Sequence, residues 1–265
     1  KERLVLFHEA KAYDMIIHEK LFPQFSNSFL LVIGSGKKEE STIFTKFSYE
    51  RDERFAIKTD IIRTKENQIL VKKSALYPEG KLHIDHMYAC YKGLSNHMQD
   101  TNWNVVSCKK EHVALVFPYI YGETLANKLY VLVNEENKEA LFQELKSYIA
   151  NIKVMFGTDE FHMSEDFVKV FGKAEFPVGK NYTTSDYNNI DLLLDNILVD
   201  GEKYYVIDYE WTFDFPVPLD YTIYRILHYF ILRSEKIEWL ENQNLYAAFG
   251  ISEEEISVFE QMERN

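Results

Sequence analysis

Cysteine is scarce in this chain: two among 265 residues, Cys90 and Cys108, and neither stands in a C-x-x-C spacing. That argues against a thiolate zinc site, and reduced thiols are the expectation for so sparse a pair. Long apolar runs are missing too, and none approaches the roughly 18 residues that a membrane-spanning helix needs. No stretch near residue 1 has the charged-then-apolar pattern of a secretory signal. Basic residues are in deficit, 30 Lys and Arg against 42 Asp and Glu, for a net charge of −12. A nucleic-acid partner, which calls for a basic face, is therefore not expected. Glycine rarely clusters. The one Gly-bearing break, Gly34-Ser35-Gly36-Lys37-Lys38, lacks the G-x4-G-K-S/T spacing of a phosphate loop and reads as a linker. There are no repeats and no low-complexity tracts.

What remains is an ordinary globular composition, 46% apolar and 27% charged. Its 18 Tyr and 19 Phe read as core filling. The length allows one large or two modest domains. The chain starts at Lys1 rather than Met and stops within a helical pattern, so it is expected to be part of a longer polypeptide.

Residues 1–24 have a helical period and 29–33 read as a buried strand. Beyond the linker come three strand-like runs, 42–47, 55–62 and 68–76. The loop Ser48–Arg54 between the first two holds no glycine. Pro78 opens a helix with Ile84, Met87, Tyr88, Tyr91 and Leu94 on its apolar face. Residues 103–108 and 112–117 read as a hairpin. A helix follows over 135–155, a short one over 161–170, an irregular stretch over 174–188, and further helices over 220–230 and from Ser252, where Ser252-x-x-Glu255 is a capping box.

The chemistry concentrates in Asn189-Ile190-Asp191-x4-Asn196-Ile197-Leu198-Val199 and in Tyr205-Val206-Ile207-Asp208-Tyr209-Glu210-Trp211. Asp200-Gly201 between them signals a hairpin. Asp191, Asn196 and Asp208 thus sit at the ends of one hairpin. That set suits phosphoryl transfer: one carboxylate to accept the proton of an attacking hydroxyl, with an Asn and a second Asp to hold a metal on nucleotide phosphates. A surface hairpin with ordinary turn residues is the competing reading.

Asp191-x4-Asn196 followed by Val206-Ile207-Asp208 resembles the catalytic loop and metal-binding turn of the aminoglycoside phosphotransferase-like branch of the protein-kinase fold. The family loop usually reads His-Gly-Asp-x4-Asn; Asn189-Ile190 stands here instead, and Tyr209-Glu210 stands where protein kinases have Phe-Gly. Phe117-Pro118-Tyr119-Ile120-Tyr121-Gly122-Glu123-Thr124-Leu125 resembles the inter-lobe hinge of the same family, with Thr124 as a helix cap. The resemblance implies an α+β, two-lobed fold with ATP and Mg²⁺ as cofactors. It implies Asp191 as base and Asn196 and Asp208 as metal ligands. Phe117 and Tyr119 would lie beside the adenine. A third-strand lysine is expected on the phosphates. Strand side chains alternate, so only one of Lys72 and Lys73 enters the cleft; Lys72, sharing a face with Leu70 and Ser74, is favoured. Glu79 is the candidate carboxylate for that lysine, with Asp85 as an alternative and a dipole role for Glu79 equally open. Ser48, Arg51 and Arg54 are left for phosphate contact, or are a solvated turn. Glu210 could serve a second metal, the substrate or the structure.

A narrower resemblance runs over residues 25–260. Phe25-Ser26-Asn27-Ser28-Phe29-Leu30, Phe44-x-Lys46-Phe47-Ser48-x-x-Arg51 and Ile207-Asp208-Tyr209-Glu210-Trp211-Thr212-Phe213-x-Phe215-Pro216 resemble bacterial proteins that couple a methyltransferase to a kinase-like domain, including enzymes that cap lipopolysaccharide O-antigen chains. It implies that 1–36 are the tail of a preceding methyltransferase-like domain. Residues 37–265 would be the kinase-like domain, with lobes 37–120 and 121–265. The acceptor hydroxyl would belong to a terminal glycan sugar, and the location would be cytoplasmic, with peripheral attachment at the inner membrane through partners. Two alternatives stand beside this reading: an inactive kinase-like module that binds nucleotide or scaffolds its neighbour, and a small-molecule kinase of the aminoglycoside type.

Overall fold

The structure is a computed structural model and describes residues 16, 18–20, 40–48, 50–99 and 101–264. It divides into two units, Lys1–Glu39 and Glu40–Asn265. The helix expected over 1–24, the strand over 29–33 and the linker over 34–38 lie almost wholly outside the described residues.

The second unit opens with β1 (Glu40–Phe47), β2 (Ile57–Thr64) and β3 (Ile69–Ala75). A 3-10 turn at Pro78–Gly80 leads into α1 (Lys81–His97). The expected start at Pro78 is therefore a tighter turn, with the α-helix beginning at Lys81. Then come β4 (Trp103–Val105), β5 (Lys109–Glu111), β6 (Ala114–Pro118) and β7 (Glu123–Thr124). The remainder is mostly helical: α2 (Leu125–Asn134), α3 (Lys138–Phe156) and, after β8 (Asp159–Glu160), α4 (Glu165–Phe171). Short strands β9 (Thr183–Thr184) and β10 (Asn188–Asn189) precede β11 (Ile197–Asp200), β12 (Lys203–Val206) and β13 (Thr212–Phe213). The chain ends with α5 (Leu219–Leu232), α6 (Ile237–Glu241), α7 (Leu245–Ala248) and α8 (Glu253–Arg264).

One sheet, ordered β1-β2-β3-β6-β5 and antiparallel throughout, forms the first lobe with α1. A second, ordered β4-β12-β11-β7, belongs to the helical lobe. The unit is thus α+β and two-lobed, an antiparallel sheet lobe followed by a mainly helical lobe, as expected. The expected hairpin over 103–117 is split: β4 leaves the first lobe and pairs in parallel with β12, and only β5 pairs with β6. Burial explains the split, because Trp103 stacks on Tyr204, packs at a tilt against Tyr148 inside the helical lobe and is 3% exposed. The β11–β12 hairpin turns on Gly201 at φ +60°, a backbone conformation that glycine adopts at little steric cost.

Local signals account for most of the helix starts. Thr124 accepts the Asn127 amide at 3.1 Å and opens α2. Ser252 and Glu255 exchange backbone-to-side-chain bonds at 2.9 and 3.3 Å, the reciprocal pattern that opens α8. The core sits mainly in the helical lobe, where Leu145, Ile152, Leu227 and Phe259 are fully buried. Each such side chain contributes about 1.5–3 kcal/mol relative to exposure. Among the described residues, no helix is long and apolar enough to cross a membrane.

One face of α1 makes contacts between the lobes. His83 Nε2 lies 3.1 Å from a carboxylate oxygen of Glu210, and His86 Nε2 donates to the Thr212 carbonyl at 2.7 Å. His97 Nε2 donates to the Met155 carbonyl. Between them Gly93 faces the Tyr187 ring so closely that an added Cβ would sit 2.2 Å from it. Gly93→Ala is expected to lower stability by about 1–3 kcal/mol through overpacking. The cost should shrink when Tyr187→Ala is added, as measured by denaturant melts of the single and double variants.

Candidate active site

Between the lobes lies a cavity of about 390 Å³. Its walls are apolar at one end, with Val71 and Phe117 from the sheet facing Leu198 and Ile207 from the helical lobe. Its other end is polar, with Lys73, Asn196 and Asp208. A flat apolar slot leading to a charged end suits a heteroaromatic base joined to phosphates. Phe117 is 5% exposed and packs against Tyr209. Tyr119 also lines the cavity, but its amide is committed to the Ile69 carbonyl at 3.1 Å and is not open to a ligand.

The third-strand lysine in the cleft is Lys73, not the favoured Lys72. Lys73 is 9% exposed, and its Nζ donates to Asp208 Oδ1 at 2.9 Å. Lys72 points outward, 3.6 Å from Glu111 on β5. The inner face of β3 is the Val71–Lys73–Ala75 set, whose small apolar side chains pack on the core, and alternation puts Lys72 on the other face. Burial by itself would pull the Lys73 ammonium down, but the Asp208 and Glu210 charges outweigh it and hold the group above its ordinary range.

Glu79 does not reach this lysine either. It is exposed on the 3-10 turn before α1. Asp85 is tied to Lys81 and Lys110, each at 2.6 Å. The second carboxylate beside Lys73 is Glu210, at 3.7 Å. Glu210 is 3% exposed and also takes hydrogen bonds from His83 and from Arg51 of the β1–β2 loop. Burial would raise this carboxyl, but the His83 bond and the Lys73 and Arg51 charges hold it below its ordinary range.

The same loop has little left for phosphate. The Ser48 hydroxyl is engaged with the Ile57 backbone, at 2.9 and 3.1 Å, and Arg54 folds back onto Asp52 at 2.8 Å.

Asp191 is held by its own loop. Asn189, which stands two residues earlier, accepts the Asp191 amide at 2.8 Å and donates to the Asp208 carbonyl at 3.2 Å. Asn196 Nδ2 donates to the Asp191 carbonyl at 3.0 Å. Asn189, which stands where the family loop has His, thus joins this loop to the Asp208 turn through one side-chain amide. Arg225 of α5 donates to the Ile190 carbonyl at 3.0 Å and to Asp191 Oδ1 at 3.2 Å, and it is anchored by Glu263 of α8 at 2.5 Å. Burial pushes the Asp191 carboxyl up to about 7, with Asp208 and Glu210 adding to the rise and Arg225 and Lys73 opposing it. Neither Arg225 nor Asn189 stood out as a site residue in the sequence.

Among the described residues, no group of three or more His, Cys, Asp or Glu side chains could hold a metal alone. Asn196 and Asp208 fit a cation that completes its shell with phosphate oxygens and water, which is how Mg²⁺ is usually bound. Asp208 Oδ1 accepts Lys73 and the Glu210 amide at 3.2 Å, Asn196 spends only its Nδ2, and one oxygen on each remains for such a cation. When bound, the cation would neutralise charge on the transferred phosphoryl group. Beside this site lies a larger cleft of about 730 Å³, where Ile190 and Arg225 meet the aromatic rings of Phe55, Trp211, Phe213 and Tyr221.

Asp191 gives a pH-dependent stability. An unfolded Asp titrates near pH 4. The folded group holds its proton more tightly, so its stabilising share is full below about pH 4 and is lost as pH rises towards 7. Asp191→Asn removes that slope. In nucleotide-free denaturant melts, the stability of the variant relative to wild type is expected to improve by about 2–3 kcal/mol between pH 5 and pH 8.

No family model matches the chain, and no curated protein matches its sequence. Solved structures similar to it include the apoenzyme of macrolide 2'-phosphotransferase MphH from Brachybacterium faecium, at 12% identity over 82% of each chain with a TM-score of 0.39. They also include a macrolide 2'-phosphotransferase type I, at 10% identity over 98% of this chain and 90% of that one with a TM-score of 0.40. The streptomycin–ATP complex of APH(2")-IIa is similar at 12% identity over 98% of each chain with a TM-score of 0.35. These are likenesses of shape at low identity, and the two-lobed α+β description rests on the strands and helices of the chain itself.

Proposed function

We propose that this chain is an ATP- and Mg²⁺-dependent phosphotransferase acting on a hydroxyl. The observation that carries the reading is the Lys73–Asp208 ion pair at 2.9 Å across the end of an apolar slot, with Asn196 lining the same slot. Asp191, joined to this end through Asn189 and Asn196, supplies a carboxylate for the proton of the acceptor. On this reading Lys73 holds the nucleotide phosphates and Asp208 and Asn196 hold the cation. Positioning and fixed charge supply most of the acceleration in such a transfer.

For the acceptor we infer a sugar hydroxyl, at the end of a bacterial surface glycan. The aromatic lining of the larger cleft supports a sugar, since ring faces pack well against its carbon–hydrogen surfaces. The glycan end and an adjoining methyltransferase domain rest on the motif resemblance alone. One observation favours an inactive module instead: Ser48 and Arg51 of the glycine-free β1–β2 loop are already engaged, with Ile57 and Glu210.

Calorimetric titration with ATP, with and without Mg²⁺, separates these readings. Wild type and Lys72→Ala are expected to bind ATP in a Mg²⁺-dependent way. Lys73→Ala and Asp208→Ala should lose about tenfold or more in affinity. Absence of binding in a folded wild type would sink the chemistry and leave a scaffold. Asp191→Ala should still bind nucleotide, yet transfer to a glycan acceptor should fall by about a thousandfold or more.

A further inference from the structure

In α1 the only acidic residue is Asp85, and it faces Lys81 and Lys110. Glu79, just before the helix, is exposed. The helix therefore brings no carboxylate to Lys73 and offers His83 to the cleft instead, 4% exposed along its side chain. The ring donates to Glu210, which comes from the helical lobe. Glu210 is engaged at three points: its Oε1 takes His83 and Arg51, its Oε2 lies 3.7 Å from Lys73 Nζ, and its amide donates to Asp208 Oδ1 at 3.2 Å. One residue thus touches both members of the Lys73–Asp208 pair, by side chain and by backbone. Two cations, Lys73 and Arg51, balance two carboxylates, Asp208 and Glu210; the Glu210 and Lys73 ends are buried, while Arg51 and Asp208 stay partly open to solvent. A buried charge in such a set cannot leave without stranding its partners.

We propose that Glu210 is the positioning residue of Lys73, reaching it from the helical lobe with His83 and Arg51 holding its carboxylate in place, so that the lysine sits correctly only when the β1–β2 loop, α1 and the Asp208 turn are together. Its kinetic consequence rests on the phosphotransferase reading above; its structural consequence does not. A carboxylate held in this way acts on phosphates through Lys73 and is not free to serve as a metal ligand.

A double-mutant cycle tests the first consequence. Glu210→Gln is expected to raise KM for MgATP and lower kcat/KM for it by about 10- to 100-fold. In a Lys73→Met background the same substitution should change MgATP affinity by less than about twofold, because the group it acts through is gone. An equal loss in both backgrounds would overturn the proposal, since Glu210 would then act on its own. The second consequence is read without nucleotide, by the rate at which an amine-reactive reagent labels Lys73, followed by peptide mass spectrometry. Labelling should rise about fivefold or more in Glu210→Gln. Unchanged labelling in a folded variant would also overturn the proposal. Should Glu210→Gln not fold, Arg51→Gln removes one hold on the carboxylate from a loop, and Lys73 labelling must rise there too or the proposal fails. A wild type that binds no MgATP would remove the phosphotransferase reading, and the labelling comparison would still decide the positioning role.

Discussion

The contact on which the rest of the molecule depends is the pair between Lys73 Nζ and Asp208 Oδ1. Two opposite charges brought out of water gain little unless their remaining hydrogen-bonding capacity is also met. The surrounding structure meets it. The Glu210 amide and carboxylate, the Arg51 guanidinium and the His83 ring close the set on one side. Asn189 and Asn196 extend it to the backbone on either side of Asp191. The sheet, α1 and the β11–β12 hairpin are three separate pieces of chain, and this network gives each a reason to face the same point.

A second cluster does the same for Asp191. Arg225 contacts the loop backbone and the carboxylate together, and Glu263 of the last helix holds Arg225 in turn. Tyr221 and Tyr229 hydrogen-bond to that same Glu263. The end of the chain therefore reaches the centre of the cleft through two side chains. Burial and neighbouring carboxylates raise Asp191 while Arg225 opposes them, which brings its proton into the neutral range.

Much of this was legible beforehand, for local reasons. The Asp191, Asn196 and Asp208 spacing, the Asp200-Gly201 turn, the Thr124 and Ser252 caps and the strand runs of the first lobe are short-range signals, and each lies where its local chemistry points. The errors came where distant residues decide. Lys72 and Lys73 are equivalent by alternation until one knows which face of β3 packs on the core. Glu79 met the positional expectation for a helix carboxylate, but a 3-10 turn kept it outside the cleft. Glu210 and His83 stand 127 residues apart, and nothing in the sequence pairs them. Asn189 stands where the family loop carries histidine, and an amide that bonds in two directions can be judged only when both partners are in view.

The path of β4 has a mechanical consequence. The stretch between α1 and the rest of the first sheet passes through the helical lobe and pairs with β12, and the Val106 amide adds a bond to the Val206 carbonyl at 3.0 Å. The two lobes are thus joined twice, by the Phe117–Tyr121 crossing and by a backbone ladder that would have to break for them to swing apart. Such a body does not open like a jaw. The β1–β2 loop, by contrast, meets the helical lobe through the Arg51 side chain, on Glu210 and over the Trp211 ring, a hold of side chains rather than of backbone.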